Sequence, residues 1–137
     1  MGCLQMKYLL DTHVWYWLME VPEKIPVNVR KIMSQNGTVP FGISAISLWE
    51  IAKLEEKKRI DFNIPLQNWM KDALDPDFMK RLELDEQVAV ESTRLPEGFH
   101  RDPSDQIIVA TARVHNLTLI TADRKILAYR HVRTLWG

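Results

Sequence analysis

Short apolar runs, each stopping at a turn or an acid and separated by segments of helical period, constrain this chain more than any other feature. Tyr8 to Leu10 is such a run; it ends at Asp11, and Thr12 opens a helix over His13 to Met19 whose aromatic and aliphatic residues cover nearly all sides. A link bearing Pro22 and Pro26 leads to an amphipathic helix, Val27 to Ser34, and Asn36-Gly37 turns the chain into a strand predicted over Thr38 to Ile43. The next helix starts at Ser44 or Ser47, with Ala45, Leu48, Trp49 and Ala52 on its apolar face and the charged stretch Lys53 to Arg59 at its end. Pro65 opens a helix carrying Leu66, Trp69, Met70 and Ala73, Leu82 and Leu84 alternate with charges as a strand, and Asp85 to Thr93 reads as helix. Asp102 as N-cap and Pro103 in the first turn then begin a helix that runs to about His115 and stops at Asn116. Leu117 to Thr121 is a buried strand, Asp123 to Tyr129 a short helix and Val132 to Trp136 a closing strand.

Strands that alternate with helices imply parallel pairing, because a parallel connection needs a helix-length crossover. The expected class is therefore α/β, a three-layer α/β/α sandwich around a central, mainly parallel sheet. A chain of 137 residues, 46% of them hydrophobic, fits one such domain, placed over residues 6–137, with residues 1–5 as a leader ahead of Met6. Eighteen basic and eighteen acidic residues cancel, so a nucleic-acid partner would have to be held by a local patch or a metal rather than a global field. The one cysteine, Cys3, excludes a disulfide framework and a thiolate metal site. No apolar run reaches membrane-spanning length and the first residues lack a signal-peptide pattern, so a cytoplasmic protein with no membrane partner is expected.

In parallel sheets of this kind ligands collect beyond the carboxyl ends of the strands, which gives acids there extra weight. Asp11 directly follows one predicted strand and Asp123 comes two residues after another. Each also precedes a helix, where Asp is a favoured N-cap, so neither alone decides between capping and chemistry. Asp105 shares a helical face with Ile108, Val109 and Ala112. A carboxylate at the head of an apolar stripe needs a cation, strong hydrogen bonds or an opening to solvent, although a first-turn acid also complements the helix dipole. Glu50 lies near the start of the helix after Thr38 to Ile43, at the boundary of the apolar face, where on its own it reads as an ordinary first-turn glutamate. Asp102 reads first as a cap and second as a supporting ligand.

Taken together, Asp11, Glu50, Asp105 and Asp123 would put four negative charges at one edge of the sheet. A hard divalent cation resolves that repulsion, and an all-oxygen set suits Mg²⁺ or Mn²⁺ and argues against zinc. His13 and His100 are too isolated in sequence to form a metal pair. A phosphate-accepting receiver domain also gathers acids around Mg²⁺, but it needs an aspartate after a middle strand and a lysine after a late one. Here the middle strand ends in Ile43-Ser44 and no lysine follows Val132 to Trp136.

The segments LLDTHVWYW, ISLWEIA, HRDPSDQIIVATA and LITADRKI are individually weak signals, but in this order and spacing the chain resembles the PIN-domain nucleases, and in particular the VapC-type toxins of bacterial toxin-antitoxin pairs. The likeness spans almost the whole chain. It implies that Asp11, Glu50, Asp105 and Asp123 are catalytic metal ligands, with Thr121 as a supporting hydroxyl. It also implies an endoribonuclease dependent on Mg²⁺ or Mn²⁺, neutralisation by a small antitoxin, and a homodimer. Arg101, Arg124 and Lys53 are the candidate contacts to the RNA backbone. The chain departs from the subfamily at Ser104, where an aromatic is common, and at Gln106, where an arginine is. The helix of Trp15, Tyr16 and Trp17 suits either a dimer interface or a plain core position. A PIN-like binding module without catalysis is the rival reading, against which stand all four acids.

Overall fold

The structure, a computed structural model, describes residues 5–137. Positions 1–4 of the leader expected over residues 1–5 lie outside the described residues. Five strands, β1 (Tyr8–Leu10), β2 (Phe41–Ser44), β3 (Met79–Leu82), β4 (Thr118–Ile120) and β5 (Thr134–Leu135), form one sheet in the order β3-β2-β1-β4-β5. Every pairing is parallel, with Leu10 opposite Ile43 on one side and Ile120 on the other. The helices are α1 (Thr12–Glu20), α2 (Val27–Ser34), α3 (Ala45–Glu56), α4 (Leu66–Ala73), α5 (Glu86–Ser92), α6 (Pro103–Val114) and α7 (Arg124–Leu127), with a short 3₁₀ turn at Pro22–Lys24.

Alternation along the strands sorts the core into two halves, because successive side chains point to opposite faces. Leu10, Ile43 and Ile120 pack with residues of α1, α2, α3 and α4, among them Val14, Trp15, Val29, Ile51 and Trp69. Leu9 and Leu119 pack on the opposite face with Val88 of α5, Ile108, Val109 and Ala112 of α6, and Ile126 of α7. The three-layer α/β/α class read from the sequence is the one observed.

The aromatic helix α1 buries Val14 and Trp15 in the core. Trp15 is fully buried and its indole N–H donates to the carbonyl of Ala73 at 3.0 Å. Tyr16 meets Phe62 edge-on at 5.8 Å between ring centroids, Trp17 lies 6.0 Å from Trp136, and Trp69 donates to Glu20. Tyr16, Trp17 and Leu18 are half-buried and Met19 is 36% exposed, so part of the apolar surface of α1 stays accessible.

Three expectations shift. The strand expected over Thr38 to Ile43 is Phe41–Ser44, since the turn at Asn36-Gly37 and then Pro40 delay pairing. The strand expected around Leu82 and Leu84 is Met79–Leu82, with Met79 and Leu82 inward and Leu84 48% exposed past its end. On α3 the buried residues are Ser47 and Ile51, and Trp49 is 54% exposed rather than part of the inward face. The Ser44 hydroxyl accepts from the Ile46 amide and sets the helix start, which makes Glu50 the sixth helical residue, not a first-turn one.

Candidate active site

β1 lies between β2 and β4, so the chain departs from it in both directions and opens a crevice at its carboxyl end. Asp11 stands at that point. Its amide donates to the Ile120 carbonyl of β4 at 3.0 Å, and its side chain is buried, 8% exposed. Oδ1 accepts from the Thr12 amide at 2.8 Å and Oδ2 from the Thr121 hydroxyl at 2.6 Å. Thr121 in turn accepts from the Asp123 amide at 3.0 Å, so one hydroxyl joins the acids that follow β1 and β4.

Thr12 joins Asp11 to α3, its amide bonded to Asp11 and its hydroxyl to Glu50. Thr12, which opens α1, donates through Oγ1 to Glu50 Oε1 and lies 2.8 Å from the hydroxyl of buried Ser47. Thr12 has one hydroxyl proton, so Ser47 is the donor to it and the relay runs Ser47 to Thr12 to Glu50. This is why a polar residue occupies the inward face of α3.

Asp11 is also the N-cap of α1, and two further acids of the cluster cap helices. Asp102 accepts from the Asp105 amide at 3.1 Å with Pro103 in the first turn of α6, and Asp123 accepts from the Lys125 and Ile126 amides at 2.8 and 3.2 Å. Asp105, at the third position of α6, is held against His100, whose Nε2 lies 3.2 Å from its Oδ2 but outside the angles a hydrogen bond requires.

Burial and mutual repulsion both act on these carboxyls. Burial pushes Asp11 up, opposed by the Thr121 and Thr12 hydrogen bonds and aided by the charge of Asp123. Glu50 is raised by burial and by the charges of Asp11 and Asp102, against the Thr12 hydrogen bond. Asp105 is pushed up to about 8, first by burial and then by Asp102, Asp11, Asp123 and Glu50 together. That one side chain feels all four others places the five acids in a single electrostatic neighbourhood.

The cluster opens into two grooves that share Asp102. One, about 350 Å³, is lined by His100, Asp102, Asp105, Asp123, Arg124 and Lys125. The other, about 370 Å³, has Glu50 and Ser104 beside His13, Trp49, Lys53, Lys57 and Arg59. Arg124 and Lys53 therefore border the acids, whereas Arg101 is exposed on the approach to α6 and lines neither groove. A larger depression of about 910 Å³ lies at the far end of α6. Its Arg113 is taken by Glu91 and by the His131 carbonyl.

Whether the set fits a divalent ion turns on its donors, which are oxygens supplied from the ends of β1 and β4 and from α3 and α6. Among the described residues no three acidic, histidine or cysteine side chains converge closely enough to hold an ion as they stand. Asp11 and Asp123 are instead turned onto nearby amides. The donor chemistry, all oxygen with no thiolate, fits a hard cation, and holding one would require these side chains to turn toward the shared crevice.

Sequence reasoning missed Thr12, Ser47 and His100. Nothing local marks them, since Thr12 and Ser47 are 35 positions apart and meet only after β1 and β2 pair.

Known proteins place this arrangement. Residues 8–132 match the PIN domain family. Ribonuclease VapC22 of Mycobacterium tuberculosis (strain ATCC 25618 / H37Rv) is 32% identical over 130 residues, which is 93% of this chain and 97% of that protein. The fold is similar to that of the DNA-bound VapBC from Salmonella typhimurium, with a TM-score of 0.70 at 22% identity over 95% of this chain and 97% of that one. It is also similar to VapBC-1 from nontypeable Haemophilus influenzae, with a TM-score of 0.69 at 19% identity over 95% and 97% of the two chains. With a family match over nearly its whole length and acids gathered where the sheet's strand order reverses, the chain belongs to the PIN-domain family and stands with its VapC-type members.

Proposed function

We propose that this protein is a metal-dependent endoribonuclease and the toxin of a bacterial toxin-antitoxin pair. The observation that carries the reading is the linkage of Asp11 to Asp123 through Thr121 and to Glu50 through Thr12, with Asp105 raised by all of them. Such a cluster is costly in an isolated protein and is relieved by a cation. The name of the VapC22 relative, a ribonuclease, and the VapBC complexes among similar structures support the substrate and the antitoxin partner.

Asp11, Glu50, Asp105 and Asp123 are the proposed ligands of Mg²⁺ or Mn²⁺. When bound, the ion supplies an acidified water and positive charge against the phosphate oxygens. Thr121 and Thr12 fix the orientation of Asp11 and Glu50, so that these carboxylates need little reorganisation as charge develops. Arg124 and Lys53, each lining one of the two grooves, are the proposed contacts to the RNA phosphates, and Arg101, which lines neither, is a more distant candidate. Asp102, as the cap of α6, positions Asp105.

The remaining parts of the reading are a cytoplasmic setting and a homodimer. No helix among the described residues is long and apolar enough to cross a membrane. The homodimer rests on the family likeness, and its interface would use surface other than the buried Trp15 side of α1. Purified protein is expected to cleave RNA on addition of Mg²⁺ or Mn²⁺ and to stop when EDTA is added in excess, followed by gel analysis of the products. Cleavage that continues undiminished in EDTA contradicts the metal role.

A further inference from the structure

The groove beside Glu50 holds a feature that metal binding does not explain. Trp49 is 54% exposed, whereas the other four tryptophans are buried or half-buried, and its indole lies in the groove that Glu50 and Asp102 also line, where an amphipathic ring has a surface to offer a ligand. Trp49, Lys53 and Lys57 recur every fourth residue and so share one face of α3 and its end. Lys53 Nζ sits 5.7 Å from the Trp49 ring centroid, and Arg59 closes the same wall. Lys53 is paired with Glu56, but among the described residues neither Lys57 nor Arg59 lies within ion-pair distance of a carboxylate. The groove thus sets a flat aromatic face and three cations directly against the acids.

Building on the nuclease reading, we propose that this groove seats an unpaired RNA strand, with one base stacked on Trp49 and the neighbouring phosphates held by Lys53, Lys57 and Arg59. An aromatic face beside a cationic wall is what a single strand uses: the base offers a ring and the backbone offers regular negative charge. A duplex hides its base faces, so Trp49 would find nothing to stack on, and the site should prefer unpaired RNA. The cations also offset the repulsion that Glu50 and Asp102 exert on an approaching phosphate. The volume, about 370 Å³, falls in the ~300–1,000 Å³ range of clefts that hold small ligands, enough to admit a nucleotide.

The test measures binding of a labelled unpaired RNA strand of about ten nucleotides, and of its duplex, to the Asp11→Asn protein by fluorescence anisotropy. Adding Trp49→Ala should weaken binding of the unpaired strand about tenfold and leave duplex binding unchanged, while Trp49→Phe retains most of the affinity. In the otherwise wild-type protein the same substitution should raise KM with little change in kcat. Replacing Lys53, Lys57 and Arg59 by Gln should lower the slope of log affinity against log salt by about 0.7 per lost contact. Trp49 belongs to neither core cluster, so the melting temperature should stay put and exclude misfolding as the cause.

Unchanged RNA affinity in the Trp49→Ala protein overturns the proposal and leaves the groove to a protein partner. If that happens while wild type still cleaves RNA, the nuclease reading stands without this seat. Trp49-dependent binding in a protein that cleaves no RNA would keep the seat and remove the nuclease.

Discussion

Asp11→Asn should abolish RNA cleavage, lowering the rate by at least about a thousandfold, equivalent to about 4 kcal/mol in the barrier. The size follows from the position. Asp11 is the residue at which the β1–β4 crevice, the Thr121 hydroxyl and, through Thr12, the α3 glutamate all meet. Asparagine keeps the shape but removes the charge a cation needs, and it offers one acceptor oxygen where Thr12 and Thr121 now use two. Rates from a labelled RNA substrate with saturating Mn²⁺ measure the effect directly. A variant that retains a tenth or more of wild-type activity would place Asp11 outside the chemistry.

The second large effect concerns stability and pH. Asp105 ionises near its ordinary 3.8 in the unfolded chain and at about 8 in the folded one. Between those values the folded protein keeps a proton that the unfolded chain has lost, so stability falls as pH rises through that window and levels off above about 8. Asp11 and Glu50, also raised by burial, act in the same direction. Metal-free protein should therefore melt several degrees lower at pH 8 than at pH 5.5. Asp105→Asn should flatten that dependence and make the metal-free protein the more stable of the two at pH 8. Cations must displace the retained proton, so Mg²⁺ or Mn²⁺ should raise the melting temperature more at pH 8 than at pH 5.5. A metal-free wild type whose stability is flat or rising across this range would show that the acids do not repel one another as described.

These effects trace to residues of unequal visibility in the sequence. The strands were readable because Leu9-Leu10 and Leu119-Ile120 are buried on both faces and leave uninterrupted apolar runs. The start of α6 was readable because Asp102-Pro103 satisfies a local rule, and its N-cap bond is present. Asp11 and Asp123 were visible as acids past strand ends, but whether they cap or coordinate is not a local property; both accept backbone amides here. The face of α3 read differently because apolar Trp49 was counted inward, whereas packing against the sheet buries the face of Ser47 and Ile51 and leaves Trp49 on the far side. The hydroxyl relay from Ser47 through Thr12 to Glu50, and the closeness of His100 to Asp105, exist only once separate elements meet in three dimensions.

Titration calorimetry with Mn²⁺ on metal-free protein at pH 8 reaches the central claim most directly, since it asks whether these carboxylates share an ion without asking what RNA is cut. Wild type should show saturable binding, weakened at least about tenfold by either Asp11→Asn or Asp105→Asn. Equal affinity in all three proteins, or no binding by wild type, would contradict it.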